Sequence, residues 1–378
     1  MFRRQSRLAA MAVLMLSAAV ACFPKPAVAS SSQELQITVI DAEGGAATLL
    51  LTPEGKSVLI DTGWPPGFVF PRPKPGEPPP LPTTSTGDRI AAAAAAMGIK
   101  KIDYLIMTHY HGDHLGGLQS VLQRLPVGTF VDHGPNRQPP RPASNPGQNK
   151  MASDRLYDEW VAAYQGHGHI TAHAGQTLKI GSLHLIFVSS DGKTLGMPLS
   201  GAGELNPLCA HVTPQAATSG EDVASLGMLM TFGKTRILDL GDLTWDKELE
   251  LVCPVNRIGK VDVYFVPGHG NELSNIAPEA AFDPLVALLQ NGSRKGGDAD
   301  VIREVDSFPA LKGFWRLHAS NSYPDLDGDP AYISNVQDRP DADYPLDLKI
   351  TKAGKITVTN PRNGFSKTYQ ARGAEPAG

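Results

Sequence analysis

The sequence predicts an α/β fold made of two related βα halves. Two observations carry the prediction. A strand, turn and strand ending in a carboxylate runs from Ala47 to Asp61, and the pattern recurs from Leu226 through a turn at Gly233-Lys234 to Leu240, just before Asp242. In both halves a short apolar run, Ile102 to Met107 and Val261 to Val266, reads as a buried strand bounded by turn residues. Each leads directly into a histidine, His109 in the first half and His269 in the second.

Taken in order, the first thirty or so of the 378 residues read as a secretory leader. Arg3, Arg4 and Arg7 precede an apolar run from Leu8 to about Ala21, too short and too early for a spanning helix, and Ala27-Val28-Ala29 fits a cleavage site before Ser30. The alternative is a lipid anchor on Cys22 with the leader ending at Ala21, although Ala19-Val20-Ala21 is a poor match to the residues that precede such a cysteine. The expected location is periplasmic or extracellular, with no other apolar run long enough to span a bilayer. The expected domain covers residues 33–345, followed by a β extension and tail over 346–378.

Leu35 to Ile40 alternates as a strand, and Ala47 to Leu51 pairs with Ser57 to Ile60 around Glu54-Gly55. A Pro-rich insertion occupies 64–87; proline at that density forbids a central strand or helix. Asp88 to Met97 reads as an Ala-rich helix closed by Gly98, Leu115 to Leu125 as a helix, and Phe130-Val131 as a short strand entering Asp132-His133-Gly134. Ala152 to Tyr164 is an amphipathic helix, Leu178 to Val188 a hairpin, Asp283 to Gln290 a helix, and Leu346 to Tyr369 three short strands. Asp325 to Asp329 lacks the Gly and final Glu of a calcium loop and reads as a turn.

An apolar content of 41% is ample for a core, and a net charge of −4 carries no nucleic-acid footprint, although a local basic groove stays open. Cys209 and Cys253 would remain after leader removal; they either pair or stay as two buried thiols. Neither lies in a CxxC pattern, so the spacing does not point to a cysteine-built zinc site.

The chemistry concentrates in His109-Tyr110-His111-Gly112-Asp113-His114. In a loop leaving a strand, alternate residues converge, so His109 and His111 can grip one cation while Asp113 and His114 turn toward a second. Imidazole suits zinc and carboxylate suits harder ions. The plain alternative is a solvated histidine-rich loop.

Thr108 to Gly117 resembles the signature of metallo-β-lactamase-fold proteins, and three further positions fit that resemblance: Asp61 in Leu-Ile-Asp-Thr-Gly, Asp242 in Leu-Gly-Asp, and His269 in Val-Pro-Gly-His-Gly. The resemblance implies an αββα four-layer sandwich and a metal-dependent hydrolase with two ions, zinc first, manganese or iron as alternatives. It implies His109, His111, Asp113, His114, Asp242 and His269 as ligands, Asp113 and Asp242 as catalytic, Asp242 as the bridge between ions, and Asp61 as a support. The usual third histidine of the first site is missing. Glu221 in Gly220-Glu221-Asp222 stands nearest its place, with no protein ligand, His211 and His133 as alternatives. His133 is also a candidate substrate contact. The opening Val39 to Ala47 resembles the metallo-β-lactamase-like domain of bacterial competence (DNA-uptake) proteins. The expected reaction is attack by a metal-bound hydroxide on a small ester, lactone or lactam. The alternatives are a phosphodiesterase or nuclease, with nucleic acid as partner, and a non-catalytic metal-binding scaffold.

Overall fold

In the computed structural model, which describes residues 33–68, 84–139, 152–212, 217–271, 276–337 and 343–373, alternating strands build two large sheets. The expected leader lies outside the described residues, as does most of the Pro-rich insertion. The first sheet contains β1 (Glu34–Val39), β2 (Thr48–Leu51), β3 (Ser57–Ile60), β4 (Ile102–Ile106), β5 (Val127–Asp132) and β6 (Gly168–Thr171) in sequence order. The second contains β7 (Thr177–Ile180), β8 (Leu183–Ser190), β9 (Lys193–Thr194), β10 (Gly227–Phe232), β11 (Thr235–Asp239), β12 (Val263–Phe265), β13 (Val286–Leu289), β14 (Gly313–His318) and β15 (Ile333–Asn335). The tail strands β16 (Leu346–Thr351), β17 (Lys355–Asn360) and β18 (Phe365–Gln370) extend the first sheet beyond β1.

The two halves share one pairing scheme. From β1 to β6 the neighbours pair antiparallel twice and then parallel three times. The run β8, β10, β11, β12, β13 and β14 repeats that order. The hairpin β2–β3 thus answers the hairpin β10–β11, the relation that the two carboxylate-ending patterns predict.

Because side chains alternate across a strand, each sheet feeds two cores. Val58 and Ile60 of β3, with Ile237 of β11 and Val263 and Phe265 of β12, pack between the sheets. Leu59, Leu105 and Phe130 face outward under the helices Thr86–Ala96, Leu118–Leu122 and Ser153–Tyr164. Leu238, Tyr264, Ala287 and Leu289 face the other way, under the helices Trp245–Val252 and Ala299–Asp306. The result is the αββα sandwich.

Two elements differ from expectation. The helix expected over Asp283 to Gln290 is instead β13, a parallel strand between β12 and β14. A strand buried on both faces shows an unbroken apolar run, and periodicity cannot separate it from a buried helix. The helix expected over Leu115 to Leu125 breaks into Gly112–Leu115 and Leu118–Leu122. There Gly117 donates to Gly63 O at 2.8 Å, and a Cβ on it would sit 2.0 Å from Thr62 O. The glycine pair therefore lets the turn after Asp61 press against the histidine turn.

Cys209 and Cys253 form a disulfide that ties the short turn Pro207–His211 to the end of the helix Trp245–Val252. Among the described residues, no helix is long and apolar enough to cross a membrane.

Candidate metal centre

Most of the converging side chains leave the carboxyl end of a strand. Asp61 follows β3, the 109–114 turn follows β4, Asp242 follows β11 and His269 follows β12. Strand ends of this kind are where open α/β sheets place their sites. Asp61 and His269 both hold left-handed backbone, with φ of 58° and 57°. Residues held in such conformations cluster at functional sites.

Seven side chains form two adjacent groups. In the first, His109 Nε2 and His111 Nδ1 are 3.1 Å apart, and Asp222 Oδ1 lies 3.3 and 2.8 Å from them. In the second, His114 Nε2 and His269 Nε2 are 3.1 Å apart. Asp242 presents Oδ1 to His114 at 3.3 Å and Oδ2 to His269 at 3.4 Å. Asp113 Oδ2 lies 3.3 Å from His269 and 3.9 Å from His114. The rings of His109 and His114, with centroids 4.1 Å apart, join the groups.

The outer ring nitrogens are held by the protein, which fixes what the inner ones present. His114 Nδ1 donates to Asp61 Oδ2 at 2.7 Å, and His269 Nδ1 donates to the carbonyl of Gln290 at 2.9 Å. Thr108 Oγ1 donates to Asp61 Oδ2 at 2.7 Å and sits 3.2 Å from His109 Nδ1, from which it can accept. In the neutral ring each Nε2 is then the lone pair, aimed inward, the arrangement that metal-binding histidines use. Asp61 has both oxygens occupied, since Oδ1 accepts from the Thr108 backbone at 2.8 Å.

The donor set fits divalent first-row cations. Asp222 Oδ1 is buried and accepts no hydrogen bond. Its spacing from the two ring nitrogens approaches the separation of about 3.4 Å that bonds of about 2.1 Å make around a tetrahedral ion.

Charge in the centre is strongly coupled. Burial opposes ionisation of Asp113, but Lys295, His114 and His269 hold it well below the usual carboxylate range. Asp242 is likewise held well below it against burial, by His269 and His114. Burial disfavours the charged form of His114, yet Asp242, Asp61 and Asp113 raise it well above an ordinary histidine. His109 is pushed down, by burial first and then by His114. Asp239, behind the centre, is raised to about 6, chiefly by burial.

The structure brings His109, His111, Asp113, His114, Asp242 and His269 together, with Asp61 behind them. It places Glu221 elsewhere. Glu221 is fully buried; Oε1 takes a hydrogen bond from His133 Nε2 at 2.6 Å, and Oε2 accepts from the backbone of Arg137 at 2.7 Å. With both oxygens engaged it does not face His109, and its neighbour Asp222 does. His133, a candidate substrate contact, is also fully buried, packed on Tyr110 with ring centroids 4.6 Å apart. His211 lies exposed in the turn Pro207–His211.

Sequence reasoning missed Asp222 and Lys295. Asp222 adjoins Glu221, and spacing alone does not say which of two adjacent acids faces inward. Lys295 donates to Asp113 Oδ2 and, at 2.6 Å, to Gly44 O, from a stretch with no motif to mark it. His318, with no partner evident in the sequence, meets Asp41 Oδ1 at 2.8 Å; Glu43 stands beside them. That third group already holds a buried cation, since Arg89 Nη1 lies 3.2 Å from Asp41 Oδ2.

Residues 41–195 match the family model of the Metallo-beta-lactamase superfamily. The matched span contains Asp61 and the whole 109–114 turn and ends before Asp222, Asp242 and His269. Among solved structures, the chain is similar to the metallo-beta-lactamase fold protein YhfI from Bacillus subtilis, at 12% identity and a TM-score of 0.41, over 75% of this chain and 95% of that one. It is similar to Tm1679, described as a metal-dependent hydrolase of the beta-lactamase superfamily, at 13% identity and a TM-score of 0.41, over 76% and 97% of the two chains. A diphosphatase of the PhnP family aligns at 15% identity and a TM-score of 0.36, over 81% and 96%. No curated protein matches the chain.

Proposed function

We propose that this chain is a metal-dependent hydrolase of the metallo-β-lactamase type, acting outside the cytoplasm on a small ester, lactone, lactam or similar substrate. The observation that carries the reading is the meeting of seven donors from both halves in two adjacent groups. Divalent cations bound there supply Lewis acidity and acidify water toward a pKa of about 7. The chain itself fixes the donors. Asp61, Thr108 and the Gln290 carbonyl set the tautomers of His114, His109 and His269, while Asp113 and Asp242 stay ionised as acceptors.

The His111 and Asp222 side chains are 28% and 24% exposed, so the centre opens on that side. Beside it Trp64 stacks on Phe68 with centroids 3.9 Å apart, and the Lys295 ammonium lies 5.2 Å from the Trp64 ring. Trp64 is itself buried, so this pair packs beneath the Lys295 ammonium; the reading favours a small substrate, since a nucleic-acid strand calls for a basic groove. The leader composition and the Cys209–Cys253 bridge support an oxidising compartment.

The test is metal content together with hydrolysis of an ester, lactone and lactam panel by the wild type, His109→Ala and Asp242→Ala. Each variant is expected to lose bound metal and to fall roughly a hundredfold in activity. Full activity in both variants, or after exhaustive chelation, ends the reading.

A further inference from the structure

We propose that Asp222 makes the first group a two-histidine, one-carboxylate site whose cation preference is tilted from zinc toward manganese or ferrous iron, with the buried His133–Glu221 pair as the device that positions Asp222. The inference rests on the metal-centre reading above and concerns only which cation the first group prefers.

The donor chemistry comes first. His109 Nε2, His111 Nδ1 and Asp222 Oδ1 are mutually 2.8 to 3.3 Å apart. Imidazole suits zinc, copper, iron and nickel, whereas carboxylate oxygen suits manganese and magnesium; two histidines with one carboxylate make a set used by ferrous iron. Replacing one imidazole of an all-histidine set by a carboxylate also adds one negative charge. Zinc still exceeds manganese in absolute affinity at nearly any nitrogen and oxygen site. The preference therefore shows as a ratio, read against a version of the site with a third histidine.

The turn that carries Asp222 is fixed from both sides. Glu221 is locked by His133 Nε2 at 2.6 Å and by the backbone donors of Arg137 and Gln138 at 2.7 and 3.2 Å. Asp222 is the first residue of the short turn Asp222–Ala224 that Glu221 caps. Leu226 N then donates to Thr108 O at 2.8 Å, tying the far end of the turn to the residue before His109. His133 packs on Tyr110, which sits between His109 and His111. One buried pair thus registers the Asp222 turn against the histidine turn. Glu221, with no oxygen to spare, cannot replace its neighbour.

The experiment titrates metal-free protein with Mn2+ and Zn2+, separately and in competition, for the wild type, Asp222→His, Asp222→Asn and Glu221→Gln. Far-UV circular dichroism checks the fold of each. Wild type is expected to bind two ions, and the Mn2+ form to give the electron paramagnetic resonance signal of a coupled pair. Asp222→His should raise the zinc-to-manganese affinity ratio of the first group by about tenfold. Asp222→Asn should lose the first ion and the coupled signal while keeping the second ion. Glu221→Gln should weaken both ions at the first group by about tenfold, with their ratio and the second group unchanged. An unchanged ratio in Asp222→His, or two ions retained by Asp222→Asn at wild-type affinity, overturns the preference. Unchanged first-group affinity in Glu221→Gln overturns the positioning role. Wild type that binds neither ion at either group sinks the metal-centre reading itself, a different failure.

Discussion

Asp61 shows how much one side chain can set without touching a cation. It accepts from His114 Nδ1, from the Thr108 hydroxyl and from the Thr108 backbone, all while in left-handed backbone. Asparagine tolerates that backbone. Asp61→Asn would therefore keep the turn but place an amide donor against His114 Nδ1, forcing the proton onto Nε2. The expected outcome is a loss of roughly 10- to 100-fold in metal affinity at the second group with the fold intact. A metal titration that finds wild-type affinity in Asp61→Asn would show that the carboxylate does not set the tautomer. The sequence places Asp61 near the centre because it ends a hairpin and fits a motif. The same kind of local signal does not separate Glu221 from Asp222, since contacts 83 to 88 positions away in sequence, from His133, Arg137 and Gln138, select between them.

At the scale of elements, β14 is joined to the loop after β1 by a buried charge network. His318, at the end of β14, meets Asp41, and Arg89 of the helix Thr86–Ala96 donates to the Asp41 carbonyl at 2.8 Å and reaches Glu43 at 3.2 Å. Burial opposes the charge on Asp41, but His318 and Arg89 hold its pKa below the usual value. Burial opposes the charge on His318, but Asp41 and then Glu43 raise it above the usual value. The depressed aspartate adds stability that is present above its unfolded pKa of about 3.9 and lost as pH falls through its folded value. The raised histidine adds stability that is present below its unfolded pKa of about 6.5 and lost as pH rises through its folded value. Glu43, raised to about 7 by burial and then by Asp41, costs stability as pH rises from its unfolded pKa of about 4.3 toward that value, so the network is strongest just above the unfolded aspartate pKa and weakens from there toward neutrality. Asp41→Asn leaves two buried cations short of a partner and should destabilise by about 3–5 kcal/mol near pH 5, with a smaller deficit once pH falls through the lowered value of Asp41. Urea denaturation across pH checks this; a deficit that does not change with pH would rule out the electrostatic account. None of this network was legible beforehand, because Asp41 and His318 are 277 positions apart. The hairpins β2–β3 and β10–β11 were legible, since alternation and turn residues are local signals. β13 was not, because burial on both faces erases the alternation.

Across the whole molecule, the centre is a joint between the two halves. His109, His111, Asp113 and His114 come from the loop after β4 in the first sheet, while Asp222, Asp242 and His269 come from loops of the second. The inter-sheet core joins the sheets by apolar packing, but at this edge the contact is between carboxylates and imidazoles drawn from both. A cation bound there holds the loops of one half to those of the other and stabilises only the folded chain. At free metal a hundredfold above the dissociation constant, that linkage is worth about 2.7 kcal/mol. In a chain of this size, such a change moves the melting temperature by several degrees. The gain should be local as well as global. Hydrogen exchange should slow on metal addition in the loops after β4, β11 and β12. It should slow least in β17 and β18, which sit at the far edge of the first sheet and contribute no donor. Exchange that slows uniformly, tail strands included, would mean that metal acts on global stability without bracing this joint. Slowing in the loops of one half alone would mean that the two halves do not share the cation.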